Sequence, residues 1–283
     1  MKAKKITKIT IALISLIALS LGLFACNNDK PGFVGVNAQA DILTELNART
    51  ADVGILDYTM ASYLLSQNTS LTNNLAVAEG ISLETEQYGI AFRKGSTGLC
   101  DKVNRALNAL KSTKIAEIAA RYGLSDKVLS LDYTPDDNVD NGDWQAIVNR
   151  GKFKVGYTLN PPMAMKNGDV LSGFDIDLPK AVVEYLNQTY GVNLQIEFVL
   201  INWDFKEAEL QAGTIDCVWN GMTITDERLE AMTISIPYLL NKQCVLVRKD
   251  DLDKYTSLDS LKSARVVAEL GSAGADIGEA IFE

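Results

Sequence analysis

The sequence predicts an α/β protein, and three observations carry that prediction. Helical and strand patterns alternate along most of the chain, the order that yields largely parallel sheets covered by helices. At 283 residues the chain is long enough to bury a full core, as one large domain or as two lobes. The pattern stops once, at an acidic stretch containing proline and glycine, and then restarts without a self-similar repeat. The two parts read as complementary pieces.

The elements follow in order. Residues 34–36 (Val-Gly-Val) read as a strand, 40–48 as a short helix, and 52–57 (Asp-Val-Gly-Ile-Leu-Asp) as a buried strand with an acid at its end. A helix returns over 58–66. Residues 99–122 carry Val103, Leu107, Leu110, Ile115, Ile118 and Ala119 at helical spacing and close on Gly123, a usual residue for a left-handed helix end. Residues 132–142 have no apolar period and predict an exposed linker. After it come strands at 153–157, 194–200, 214–219 and 264–268. Between them lie helices at 178–186 and 205–211, a short helix at 257–261, and a last helix entered through Gly271, Ser272, Ala273 and Gly274.

Residues 1–26 place the remainder outside the cytoplasm. Four lysines (Lys2, Lys4, Lys5, Lys8) precede an apolar run over 9–24, and the segment closes on Leu23-Phe24-Ala25-Cys26. That order is a secretory signal ending in a lipobox, with Cys26 as the expected site of lipidation and cleavage before it. The run is shorter than the roughly 20 residues of a spanning helix.

The chain has 27 Lys and Arg against 36 Asp and Glu. Removing the leader, with its four lysines and no acids, takes the net charge from −9 to −13. This balance excludes nucleic acid and an anionic membrane surface as partners. The absence of histidine excludes a histidine triad or a histidine metal site, and no cysteine spacing suggests a metal or cofactor. Cys217 and Cys244 sit in apolar strand runs as small buried hydrophobes; with Cys100 they leave an odd number after lipidation, and spacing does not decide a disulfide.

Residues 144–283 resemble the first half of a bacterial extracellular solute-binding protein of the polar amino-acid family, the receptor of an ABC importer. The resemblance rests on Lys154-Val155-Gly156-Tyr157 with Pro161-Pro162, on Gly173-Phe174-Asp175-Ile176-Asp177-Leu178, and on Asn202-Trp203-Asp204. It rests most on 213–228, which contains Gly221-Met222-Thr223-Ile224-Thr225-Asp226-Glu227-Arg228 and is followed by Pro237-Tyr238. Residues 33–130 resemble the second half, through Gln39-Ala40-Asp41, 52–57, 88–94 and Arg121-Tyr122-Gly123-Leu124. The halves stand in the reverse of the family's order. The resemblance therefore implies a two-lobed periplasmic-binding-protein-like fold (type II), circularly permuted; a fragment spanning two tandem modules is the alternative order. Chain ends in compact modules often lie close together, which makes such a reconnection cheap.

On the permuted reading, 1–25 is the signal peptide and 26–32 a lipidated tether. Lobe 2 is formed by 33–88 and 243–283, and lobe 1 by 89–130 and 144–242. Segment 131–143 joins the family's original termini, and the strands at 88–92 and 241–247 cross between lobes.

The resemblance also implies the site, which must hold a free amino acid's carboxylate and ammonium away from water. Arg228 offers a two-pronged donor matched to a carboxylate. Thr223 adds a hydroxyl, the backbone at Gly221 approaches closely, and Ser272 and Ala273 open a helix whose N–H groups favour an anion. Asp57, at a strand end, supplies the ammonium's counter-charge. Trp203 is expected against the ligand side chain. Asp175 either lines the pocket or caps its helix, and Glu269 stands where side-chain selectivity is read, favouring a polar or cationic ligand.

The implied function is capture of an amino acid and delivery to ABC permease subunits by a lipid-anchored, extracytoplasmic binding protein with no catalytic residue and no cofactor. A dehydratase-like enzyme on the same fold and a non-binding fragment of a tandem gene are the competing readings.

Overall fold

The computed structural model describes residues 30–283 apart from 84, 137, 140 and 141. The signal segment and the Cys26 anchor lie outside the described residues. Among the described residues, no helix is long and apolar enough to cross a membrane.

The strands are β1 (Gly32–Val36), β2 (Val53–Asp57), β3 (Leu75–Val77), β4 (Thr85–Arg93), β5 (Lys152–Tyr157), β6 (Met165–Asn167), β7 (Val170–Ser172), β8 (Gln195–Leu200), β9 (Cys217–Thr223), β10 (Met232–Ile234), β11 (Leu239–Arg248) and β12 (Arg265–Glu269). Ten of them follow the path β1-β12-β2-β11-β4-β9-β5-β8, with β3 on β11 and β10 on β4, while β6 and β7 form a separate hairpin. The path divides at β11. Its first residues, Leu239 to Lys242, pair with β4, and Gln243 to Val247 pair with β2.

In lobe 2, side chains alternate between two cores, one on each face of the sheet. Ile55, Val245, Val247, Val266 and Ala268 pack on one face, and Leu56, Cys244, Leu246 and Val267 on the other. This is why these strands read as unbroken apolar runs: both faces are covered, and each fully buried aliphatic contributes roughly 1.5–3 kcal/mol. Lobe 1 is built the same way, with the large core around Phe153, Phe174, Trp219 and Tyr238 on one face and Ile201, Trp203, Val218 and Met222 on the other.

Segments far apart in the chain meet in lobe 2. β1 pairs in parallel with β12, with Val34 opposite Val267 and Val36 opposite Glu269, and β12 pairs in parallel with β2. Asp52 joins them: it accepts from Arg248 Nη2 at 3.0 Å and from the Arg265 backbone N–H at 3.0 Å. Arg248 Nη1 also donates to the Ala51 carbonyl at 2.6 Å.

Several sequence expectations shift. The helix expected over 99–122 is Thr97–Leu110, a wider π turn at Lys111–Ile115, and Ala116–Arg121. The strand expected at 214–219 is Cys217–Thr223, carried forward through Gly221. The stretch expected as an exposed linker is exposed at Asp132, Thr134, Pro135, Asp136 and Asn138, and is tied to the helix Thr97–Leu110 where Tyr133 Oη donates to Asp101 at 2.8 Å. Of the two expected crossing strands only β11 passes between lobes. Tyr88 already packs in the lobe 1 core, so the second crossing precedes it. Cys100, Cys217 and Cys244 are buried free thiols.

Candidate functional site

The strand ends converge on one cleft. β2 ends at Asp57, β9 at Thr223 and β12 at Glu269, and Asn160 and Trp203 lie just beyond β5 and β8. Open α/β sheets bind ligands outside the carboxyl ends of their strands, and here the ends from the two lobes face one another. The cavity between them is lined by Gln39, Asp57, Asn160, Trp203, Asn220, Gly221, Thr223, Arg228, Gln243, Glu269, Ser272 and Ala273. Its volume is about 10 Å³, room for at most one water. The lobes are therefore closed on each other.

One end of the cleft is cationic. Arg228 sits in the first turn of the helix Asp226–Ala231, which Thr225 caps by accepting from the Arg228 N–H at 3.2 Å. Its guanidinium is buried and donates to two carbonyls, from Nη1 to Thr223 at 2.8 Å and from Nη2 across the cleft to Gly271 at 3.0 Å. Burial lowers its proton affinity, against the pull of Asp276, Glu86 and Asp57. Ser272 caps the facing helix Ala273–Ala280, its hydroxyl accepting from the Ala275 N–H at 3.1 Å.

The other end is acidic and lined with amides. The Asp57 carboxylate accepts from Gln39 Nε2 at 2.5 Å, Asn241 Nδ2 at 2.7 Å and Gln243 Nε2 at 2.8 Å. The same two amides reach Glu86, at 2.5 and 2.9 Å, so the carboxylates share their donors. Thr59 fixes the Asn241 amide by donating to its Oδ1 from backbone N and Oγ1. Burial, reinforced by the Asp57 charge, pushes Glu86 up to about 7 and Glu269 up to about 8. Facing these acids, the buried Oδ1 atoms of Asn160 and Asn220 have no hydrogen-bond partner, nor does Trp203 Nε1. Orphaned buried acceptors beside carboxylates suit a ligand that brings N–H groups.

Of the nine expected ligand-binding residues, eight line this cavity: Arg228, Thr223, Gly221, Asp57, Trp203, Ser272, Ala273 and Glu269. Asp175 is the exception. It is fully buried behind the cleft, in the first turn of the helix Phe174–Tyr190, and accepts from the Gly221 N–H at 2.7 Å and from Tyr238 Oη at 2.8 Å. It neither lines the cavity nor caps its helix, whose N-cap is Gly173. Its role is to hold Gly221, which has φ +61°, and burial pushes its carboxyl up to about 7. Any side chain at Gly221 would also meet the Tyr88 ring, 3.0 Å from a Cβ.

Sequence reasoning missed Gln39, Asn160, Asn220, Asn241, Gln243 and Glu86 as site residues. Asn241 and Gln243 had a signal: two amides at period two, at the entry to the apolar run Cys244–Val247, place both on one face. A larger concavity of about 820 Å³ lies next to the site, along Leu83, Ile224, Leu258 and Ile277. Its walls are largely apolar but also carry Glu86, Asp259, Lys262 and Asp276, and it shares Thr223, Gln243 and Ala273 with the small closed cleft.

Residues 153–265 match the profile of the bacterial extracellular solute-binding proteins, family 3. Over this segment the chain is similar to that family. Among curated relatives, the "Probable amino-acid-binding protein YxeM" of Bacillus subtilis (strain 168) is 32% identical over 133 residues, 47% of this chain and 48% of that protein. The "L-cystine-binding protein TcyJ" of Escherichia coli (strain K12) is 30% identical over 135 residues, again 47% and 48%. The chain thus spans about half the length of the curated relatives it matches. A substrate-binding protein of an ABC uptake transporter from Streptococcus pneumoniae, solved with bound histidine, is 36% identical over 32% of this chain and 35% of that one, at a TM-score of 0.29.

Proposed function

We propose that the protein captures a free amino acid between its lobes and delivers it to the permease subunits of an ABC importer. The observation that carries this reading is the separation of charge across one closed cleft. Arg228 and the Ser272 helix start lie at one end; Asp57, Glu86 and Glu269 lie at the other, beside the unpartnered acceptors of Asn160 and Asn220. An α-amino acid has matching charges. Its carboxylate goes to Arg228 and Thr223, and its ammonium to Asp57 and the asparagine acceptors. Beside Asp57, the buried carboxyls of Glu86 and Glu269, pushed up to about 7 and about 8 in the empty cleft, favour a polar or cationic side chain with Glu269 as its partner.

Closure is the working step. The ligand touches both lobes, so it binds the closed state better and shifts the population towards it. Because the closed cavity has no room for an amino acid, loading requires the lobes to part first. The relatives are named as binding proteins, which supports a receptor.

The permuted order is part of the proposal. The parallel pairing of β1 with β12, and the supply of cleft residues by 39–57 and 269–273 together, support segments 33–88 and 243–283 forming one lobe. The lipobox supports anchoring through Cys26 on the outer face of the cell membrane.

The test is a thermal-shift screen of the mature chain against the twenty amino acids, since a ligand bound only by the native state raises its stability by mass action. Calorimetric titration of the hits follows. A rise in melting temperature with one or a few amino acids is expected; no shift with any of them would overturn the reading.

A further inference from the structure

A second buried cation stands beside Arg228. Lys206, in the first turn of the helix Lys206–Ala212, is 5% exposed. Its Nζ lies 5.1 Å from the Trp203 ring centroid and donates to the Trp203 carbonyl at 3.4 Å and across the cleft to the Gly271 carbonyl at 3.0 Å. Arg228 Nη2 donates to that same Gly271 oxygen at 3.0 Å. The two cations are therefore no further apart than twice that distance, and among the described residues neither forms an ion pair with a carboxylate. Asp204, Glu207, Asp276 and Glu269 are near enough to be felt but not to pair. Burial, followed by repulsion from Arg228, pushes Lys206 down to about 8.

Two buried like charges meeting at a single carbonyl oxygen are poorly compensated, and a carbonyl is a weak substitute for an anion. The shared oxygen belongs to the residue immediately before Ser272, whose helix start also favours negative charge. Three groups that favour an anion thus surround one point at the edge of the cleft.

We propose that Lys206 is a ligand-binding residue, the second cation of the carboxylate subsite, which with Arg228 takes a carboxylate of the ligand between two positive charges. The assignment rests on the amino-acid-binding reading above. It makes the site selective for the ionised acid over its neutral amide. The cation–π contact with Trp203 holds the ammonium where the carboxylate arrives, at the junction of the two lobes.

The experiment compares an amino acid selected in the thermal-shift screen with its own α-carboxamide. Both are titrated calorimetrically, the amide by displacement, into the full mature chain and into Lys206→Met, Lys206→Arg and Arg228→Ala. Lys206→Met should weaken the acid by about thirtyfold or more, the usual loss on truncating one partner of a desolvated charge pair. It should leave the amide within about twofold, so that discrimination between the two collapses; Lys206→Arg should restore most of it. If Lys206→Met does not fold, Lys206→Gln keeps the length and a polar head, and the same comparison applies.

Equal losses for acid and amide would make Lys206 a mere latch between lobes and overturn the assignment. Unchanged acid binding in Lys206→Met, alongside its loss in Arg228→Ala, would overturn it too, leaving the amino-acid-binding reading intact. Failure of every amino acid to bind the wild-type chain would remove both.

Discussion

Replacing Glu269 by glutamine should flatten the pH dependence of stability of the empty protein. Glu269 is 4% exposed, and burial with the neighbouring Asp57 charge pushes its carboxyl from an ordinary 4.5 up to about 8. The folded-state value is the raised one. Its contribution is therefore fully present below the unfolded value and is lost as pH rises towards the folded value. Between about pH 4.5 and 8 the folded chain holds a proton here that the unfolded chain has released. Each pH unit in that window then costs about 1.4 kcal/mol, and the whole window on the order of 5 kcal/mol. Glutamine carries no such proton and keeps the size and one hydrogen-bonding oxygen.

Urea unfolding of ligand-free wild type and Glu269→Gln at pH 5, 6, 7 and 8 reads the effect directly. Wild type should lose about 1.4 kcal/mol more per pH unit than the variant. Glu86, pushed up to about 7, contributes with the same sign but is present in both proteins. Lys206, pushed down to about 8, acts with the opposite sign and only above that pH. Parallel stability curves for the two proteins would refute the placement of Glu269 in a dry, acidic pocket.

Further outcomes follow from the same geometry. Arg228→Ala and Asp57→Ala should each weaken amino-acid binding by roughly 2–5 kcal/mol, about thirtyfold to several-thousandfold by calorimetry, with circular dichroism unchanged. Gly221→Ala should lower stability by about 1–3 kcal/mol in urea titration, because an alanine must adopt φ +61° and press on Tyr88. Cys100, pushed up to about 12 by burial, and the equally buried Cys217 and Cys244 should react with a thiol reagent only at the rate of unfolding; fast labelling of the native chain would contradict their burial. A reordered chain, 144–283 followed through a short linker by 33–130, should fold and bind the same amino acid; a reordered chain that cannot fold would argue against permutation.

Where the sequence pattern was decisive, physics with a short range decided it. The run 53–57 is apolar on both faces because two cores flank it, and its terminal Asp57 stands out for that reason. Glycine 221 is legible as a place where backbone must pass close to something. What was hidden depended on partners distant in the chain. Lys206 looks like an ordinary solvated charge in a helix rich in glutamate, and only the approach of Gly271 buries it. Asp175 looks like a helix-start acid, but the turn at Gly221 draws its carboxylate inward. The hairpin of β6 and β7 was missed although Asn167-Gly168 is a strong turn signal. The strand expected at 214–219 was set too early, since it runs on through the bend at Gly221 to Thr223.

The pairing of β1 with β12 has a consequence for how the chain comes to its final shape. Most of lobe 1 is built between β4 and the start of β11, where β5 finds β8 and β9 nearby in the chain, although β4 pairs with the distant β9, β10 and β11. Lobe 2 is different: the N-terminal strands β1 and β2 depend on β12, more than two hundred residues later, for parallel pairing. Long-range parallel pairing is slow because a large loop must close before any contact stabilises it. As the chain is made, residues 32–57 therefore emerge early and wait, apolar on both faces, until Arg265–Glu269 arrives. The charged pocket is completed in the same step, since Gln39 and Asp57 lie on the early side and Glu269 and Ser272 on the late one. The closed cleft is thus the last feature of the fold to be completed.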